Sequence, residues 1–246
     1  SAAFLYCASP RGIISYSNNI PMKNVPMRKF MEKQLNISVN LENDANAAAL
    51  GEYTANGHNA SSYILITLGT GIGGGAVINS KIYRGFNGVG IEPGHMTLIN
   101  GGERCTCGKH GCWETYGSVT ALINQTKLKM TDNPDSLMHK ISGKFGEVNG
   151  RVAFEAAKAG DRAGLEVVEK YTEYVADGIT SVINIFEPEI LVIGGGISKE
   201  GEYLLNPIRK FVEINEFNKY RPKTKIEIAS LNNDAGIIGA ALSANR

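Results

Sequence analysis

The stretch CTCGKHGCWE gathers Cys105, Cys107 and Cys112 into a few residues of chain. A disulfide within this trio would leave an odd thiol, and Cys105 and Cys107 lie too close in sequence for an easy bridge. Zinc offers another use for them, since it takes four soft or borderline ligands in a tetrahedron and three thiolates supply all but one. Two histidines compete for the last place. His110 sits in the tight loop between Cys107 and Cys112, from which it turns inward only with difficulty. His95, in EPGH, precedes Cys105 by a comfortable loop, so the expected ligand set is His95, Cys105, Cys107 and Cys112. Four protein ligands leave no open position, so such a zinc is structural. It would fix two loops that each carry a carboxylate, Glu92 shortly before His95 and Glu114 shortly after Cys112. Trp113 reads as packing.

A second group with chemical potential is Asn43-Asp44, at the start of an alanine-rich run, DANAAALGEY. Asp44 sits where a strand is expected to end and a helix to begin, a place from which a carboxylate reaches into a cleft and takes a proton from a hydroxyl. The plain alternative is a helix cap, which Asn and Asp both make well. Glu42 reads only as a solvated charge. Glycine runs form the third group. GTGIGGG follows a buried-type strand and precedes another, so it lacks the strand-to-helix context of a dinucleotide fingerprint or a P-loop. Its bland reading is a tight hairpin, yet glycine amides beside the Thr70 hydroxyl could cradle phosphate. Gly194, Gly195 and Gly196 end a strand and open a helix, the position where open α/β sheets bind ligands; a simple turn would also account for them.

The elements that must position these groups follow from periodicity and punctuation. NVPMRKFMEKQL, 24–35, has helical period, ISVNLEND reads as a short strand entering a turn, and residues 44–53 open a helix. SSYILITLGTG is a buried strand, and GGAVINSKIYRG a hairpin turning at Asn79-Ser80. A single helix is expected over 115–129, then a polar surface excursion from MTDNPD to EVNG, then helices in RVAFEAAKAG and over 162–186. EILVIGGGIS and TKIEIASL supply later strands, with YLLNPIRKFVE and DAGIIGAALSA as helices. Hairpin strands followed by strands alternating with helices imply a mixed sheet covered on both faces. Before residue 61 only a strand, a helix, a strand and a helix are read, like the back half of a second, similar unit.

At 246 residues, 43% hydrophobic and 20% charged, the chain is long enough for one large or two small cores. A formal charge of +1 gives no reason to expect nucleic acid or an anionic membrane as partner. No apolar run is long enough to span a bilayer, and SAAFLYCASPRG has no basic region before its apolar patch. The expectation is a cytoplasmic protein, which also argues against disulfides.

Taken together, LENDANAAALGEY, ITLGTGIGGGAVINSKIYRG, IEPGHM, CTCGKHGCWETYGS and NIFEPEILVIGGGIS resemble the ROK family of sugar kinases and sugar-responsive repressors, most closely its bacterial glucokinase branch. The likeness runs from about Pro10 to Arg246, and the pattern C-x-C-G-x-x-G-C-x-E carries it most strongly. It implies an α/β fold of the actin-like ATPase (ribonuclease H-like) type, two domains with a cleft between them. Residues 1–60 would be part of an N-terminal subdomain carrying the catalytic aspartate, and 61–246 a C-terminal domain with the zinc motif and nucleotide loops. The resemblance implies a hexose kinase that uses ATP and Mg2+, phosphorylating glucose at its 6-hydroxyl with Asp44 as general base. Asn43, Asp44, Glu92, His95 and Glu114 would hold the sugar, and His95 could serve sugar and metal through different ring nitrogens. Gly69, Thr70 and Gly71 would face phosphate, with Gly194, Gly195 and Gly196 close to the nucleotide.

One departure from the family pattern stands out. No D-x-G-G-T stretch, which handles phosphate and magnesium in family kinases, occurs in the sequence. The N-terminal domain therefore reads as incomplete, and the expectation is that the intact protein carries further residues, the magnesium ligand among them. Two rivals follow from the same resemblance: a sugar-sensing repressor, which would need a DNA-binding segment ahead of these residues, and a kinase of N-acetylated hexosamines. A homodimer is the family default.

Overall fold

The computed structural model describes residues 5–8, 12–17, 22–56 and 59–243. Its centre is a five-stranded sheet in the order β6-β5-β4-β7-β8, built from β4 (Ser62–Leu68), β5 (Ile72–Ile78), β6 (Lys81–Ile82), β7 (Ile190–Gly194) and β8 (Lys225–Ile228). β4, β5 and β6 run antiparallel in a meander, whereas β7 lies parallel to β4 and β8 parallel to β7. In β4 the alternate residues Ile64, Ile66 and Leu68 enter one core, while Tyr63 and Leu65 enter another on the opposite face. A strand buried on both sides must be apolar throughout, which is why SYILITL reads as an unbroken run. The β5–β6 turn is Asn79-Ser80 as expected, with φ of 49° and 60°, the left-handed pair that a two-residue hairpin requires.

The larger core lies between the sheet and α4 (Val119–Asp132), α6 (Val152–Lys158), α7 (Arg162–Phe186) and α8 (Glu202–Asn215), around Trp113, Phe154 and Tyr171. The smaller one is closed by α2 (Asp44–Ala55), which also packs against α9 (Asp234–Ser243). Here glycine sets the geometry. A Cβ at Gly75 would come within 2.4 Å of the Ala45 carbonyl oxygen, and one at Gly239 within 1.6 Å of the Ala47 carbonyl oxygen. The missing side chains let α2 lie directly on β5 and on α9. The expected boundary at residue 60 thus follows a helix whose partners are β4, β5 and α9.

Several expectations change. Among the described residues the N-terminal part has three strands, β1 (Leu5–Ala8), β2 (Ile13–Ser17) and β3 (Lys23–Val25), in an antiparallel sheet of their own. Asn24 lies in β3, and α1 starts only at Met27 (Met27–Leu35), after Pro26. Residues 37–43 of ISVNLEND form no strand among the described residues, and its Asp44 already belongs to α2. The helix expected over 115–129 is broken in two, α3 (Glu114–Gly117) and α4. Ser118 takes an extended conformation with ψ of 163°, and its hydroxyl accepts the Ala121 N–H at 3.1 Å, capping a fresh helix. The presumed polar excursion contains α5 (Leu137–Phe145), capped by Ser136 and anchored by the buried Met138. No helix among the described residues is long and apolar enough to cross a membrane.

Candidate active site

Asn43 and Asp44 stand at the N-terminus of α2. The Asn43 Oδ1 accepts the Asn46 N–H at 3.0 Å, so the capping role is real, but it leaves the side-chain NH2 for another partner. Asp44 accepts the Ala45 N–H at 2.9 Å and lines a cleft of about 290 Å3. That cleft is also lined by Asn43, Glu92, Gly69, Thr70, Gly71 and Gly195. A candidate base, a second carboxylate and both glycine turns therefore meet at one place. Gly196 faces an adjoining cavity that shares Gly69 and Thr70, whereas Gly194 is buried as the last residue of β7.

The β4–β5 turn is held from outside. Val119 N–H donates to the Gly69 carbonyl at 2.8 Å and the Thr120 hydroxyl to the Thr70 carbonyl at 2.7 Å. A Cβ at Gly69 would meet nothing within 4 Å, so backbone there is open to a ligand. The later glycines of the run do a different job: a Cβ at Gly74 would lie 2.6 Å from the Pro93 ring. The bare Gly74 lets the Pro93–His95 turn close on β5, with Glu92 just before it at the cleft.

Glu92 follows Ile91, whose φ of 63° is unusual for a β-branched residue. Burial, then the charges of Asp44 and Glu114, push its carboxyl up to about 7. Burial also raises Asp44 above the usual carboxylate range, outweighing the opposing Ala45 N–H. The three acids thus sense one another. Glu114 is already engaged on one side: its Oε2 accepts the Ile72 N–H at 3.0 Å, and its Oε1 lies 4.0 Å from the Cys105 sulfur. It links the thiol cluster to the strand that leaves the glycine turn.

In that cluster, one donor atom each from His95, Cys105, Cys107 and Cys112 lie within 4.8 Å of one another. The Cys107 and Cys112 sulfurs are 3.6 Å apart, and Cys105 Sγ is 3.7 Å from His95 Nδ1. Tetrahedral zinc with Zn–S bonds of about 2.3 Å would put two sulfurs about 3.8 Å apart, so the donors fit such an ion. Burial and the neighbouring thiols push Cys112 up to about 12. Burial also acts upward on Cys107, but the Lys109 N–H, the other two thiols and the Lys109 charge bring it below its usual value. Ionised together, thiols this close would repel one another unless a cation lay among them. His110 turns away, pairing with Arg104 across the loop and with the Gly102 carbonyl at 3.0 Å. Trp113 is fully buried against Gly178 of α7, and its Nε1–H donates to the Tyr174 carbonyl at 2.8 Å.

Glu42 is not the solvated charge expected. Its side chain is 7% exposed and pairs with Arg84 at 2.6 Å, while its other oxygen accepts the Asn43 N–H at 3.0 Å. The partner lies far along the chain, which local sequence cannot reveal. Asn232, Asn233 and Gly236 also line the cleft and were not foreseen. The only hint was a polar turn ahead of the final helix.

A sequence model described as the ROK family matches residues 2–246. A glucokinase of Halalkalibacterium halodurans is 39% identical over 230 residues, 93% of this chain and 70% of that protein. A ROK family glucokinase from Streptomyces griseus, solved with glucose and AMPPNP, superposes with a TM-score of 0.85 at 34% identity, over 95% of this chain and 76% of that one. A xylose repressor of Caldicellulosiruptor bescii is 30% identical over 93% of this chain and 57% of its own length. The α/β architecture is the actin-like ATPase fold of these kinases.

Proposed function

This chain belongs to the ROK family and is a hexose kinase of it, and from that premise we propose that it transfers the terminal phosphoryl group of ATP to the 6-hydroxyl of glucose. The observation that carries this reading is the shared cleft, where Asp44, Asn43 and Glu92 meet Gly69, Thr70, Gly71 and Gly195. Phosphoryl transfer asks a protein mainly for positioning, charge compensation and a base. Asp44 supplies the base: its carboxylate takes the hydroxyl proton while that oxygen bonds to the terminal phosphorus and the bond to the bridging oxygen breaks, releasing ADP. A carboxyl lifted above its usual range by burial is better matched to that proton than a fully solvated one.

Asn43 donates its free amide hydrogens to sugar hydroxyls, and Glu92 and Glu114 accept from others, a carboxylate being able to take two at once. His95 would direct Nδ1 to the cluster and leave Nε2 for the sugar. Open backbone at Gly69 and Thr70, with Gly195 packed beside them on Leu68, receives the phosphates. Magnesium accompanying ATP would neutralise phosphate charge. Zinc held by His95, Cys105, Cys107 and Cys112 would be structural, fixing the loops of Glu92 and Glu114.

The test is ATP-dependent phosphorylation of glucose, mannose, fructose, N-acetylglucosamine and N-acetylmannosamine by the purified protein. Preferred turnover of glucose is expected. Turnover confined to an N-acetylated sugar would move the substrate assignment, and sugar binding without turnover would mean a sensor.

A further inference from the structure

Helix α2 carries Asp44 at its first turn and Glu52 near its last. Glu52 is 0% exposed, and burying a carboxylate is costly unless its oxygens are satisfied. All of its partners are neutral donors. Oε1 accepts the Leu231 N–H at 2.7 Å. Oε2 accepts the Ser230 N–H at 3.1 Å, the Ser230 hydroxyl at 3.2 Å and the Asn56 side-chain NH2 at 3.0 Å. Two consecutive backbone amides thus converge on one charge, an arrangement stronger than bonds between neutral groups.

Those amides belong to the segment between β8 and α9. The next two residues are Asn232, with a left-handed φ of 50°, and Asn233, and both line the cleft with Gly236. The segment leaves the carboxyl end of β8, beside the carboxyl end of its parallel neighbour β7, where Gly195 stands. The carboxyl ends of adjacent parallel strands are where open α/β sheets receive ligands. Packing of α2 on α9 through Gly51 and Gly239 already joins the helices, so a charge is not needed merely to dock them. What the charge adds is a fixed course for the chain from Ser230 to Asn233.

We infer that Glu52 is a positioning residue for the nucleotide side of the cleft: it clamps Ser230-Leu231 so that Asn232 and Asn233 stand opposite the Gly69–Gly71 turn. One helix then sets both walls, the base at one end and the nucleotide wall at the other. The inference rests on the kinase reading for the identity of the ligand.

The experiment compares wild type with Glu52→Gln, Ser230→Ala and Asn232→Ala by calorimetric binding of AMPPNP and of glucose, and by steady-state kinetics. Glu52→Gln keeps the shape but replaces one acceptor with a donor facing a donor. It should weaken AMPPNP and raise KM for ATP by about tenfold, with glucose affinity and kcat at saturating ATP little changed. Ser230→Ala, which keeps the charge and both amides, should show the same selectivity at about two- to fivefold. Combining Glu52→Gln with Asn232→Ala should cost less than the sum of the two, because both act through one segment. Wild-type AMPPNP affinity in Glu52→Gln would overturn the inference, as would equal loss of glucose and AMPPNP. If Glu52→Gln does not fold, Ser230→Ala decides by the same two criteria. A wild-type protein that binds AMPPNP but phosphorylates no hexose would sink the kinase reading and leave the Glu52 test intact.

Discussion

Asn43 performs two jobs that substitutions can separate. Its Oδ1 caps α2 through the Asn46 N–H, and its NH2 group is the proposed sugar donor. Asn43→Ala removes both functions, Asn43→Ser keeps a cap, and Asn43→Asp keeps a cap while adding charge. Loss of the cap costs about 1 kcal/mol, which in a chain of this size lowers Tm by about 2–4 °C. Serine caps about as well as asparagine, so its Tm should stay near that of wild type. Aspartate should match or exceed wild type, since a negative charge suits a helix N-terminus. Sugar binding should follow another order. Losing one donor is worth about 0.5–1.5 kcal/mol, or about two- to twelvefold in Kd. Asn43→Ser and Asn43→Ala should therefore lose sugar affinity alike although only one loses stability. Asn43→Asp should be the weakest binder, because its charge joins those of Asp44, Glu92 and Glu114, which already interact. Differential scanning calorimetry and glucose titration measure the two axes. Wild-type affinity in Asn43→Ser would reduce Asn43 to a cap and refute the reasoning.

Further predictions concern the carboxylates, the helix contact and the thiol cluster. Glu92 holds its proton up to about pH 7, so glucose affinity of the free protein should rise as pH rises through that value, and Glu92→Gln should flatten this inflection in a pH series of titrations. Gly239→Ala, ordinarily favourable in a helix, should instead destabilise by about 1–3 kcal/mol, because its Cβ would meet the Ala47 carbonyl oxygen at 1.6 Å; a raised Tm would contradict the packing described. One zinc per chain should be found by elemental analysis. Its removal should lower Tm and sugar affinity together, and Cys105→Ser should reproduce both effects.

The parts of the fold that sequence reveals are those whose cause is local. The cysteine spacing, the apolar run of β4 and the Asn79-Ser80 turn each state their geometry within a few residues. The break at Ser118 was less visible, because a serine inside a helical pattern shows no sign of whether it caps until the backbone is known. The helix α5 was hidden because a short, mostly polar segment reveals its buried side, here Met138, only against the partner that buries it. Glu42 and Glu52 were opaque for a related reason. A glutamate reads as solvated unless its partners are seen, and those partners are Arg84 and the Ser230-Leu231 amides, far along the chain. Asn232 and Asn233 likewise acquire meaning only when β8 is placed beside β7.

The central claim is that Asp44 removes the sugar proton, and Asp44→Asn tests it most directly. The substitution keeps the side-chain shape and removes the base. With glucose and AMPPNP affinities held within a few-fold of wild type, kcat should fall by roughly 100- to 10,000-fold. Turnover near the wild-type rate in that variant would contradict the account.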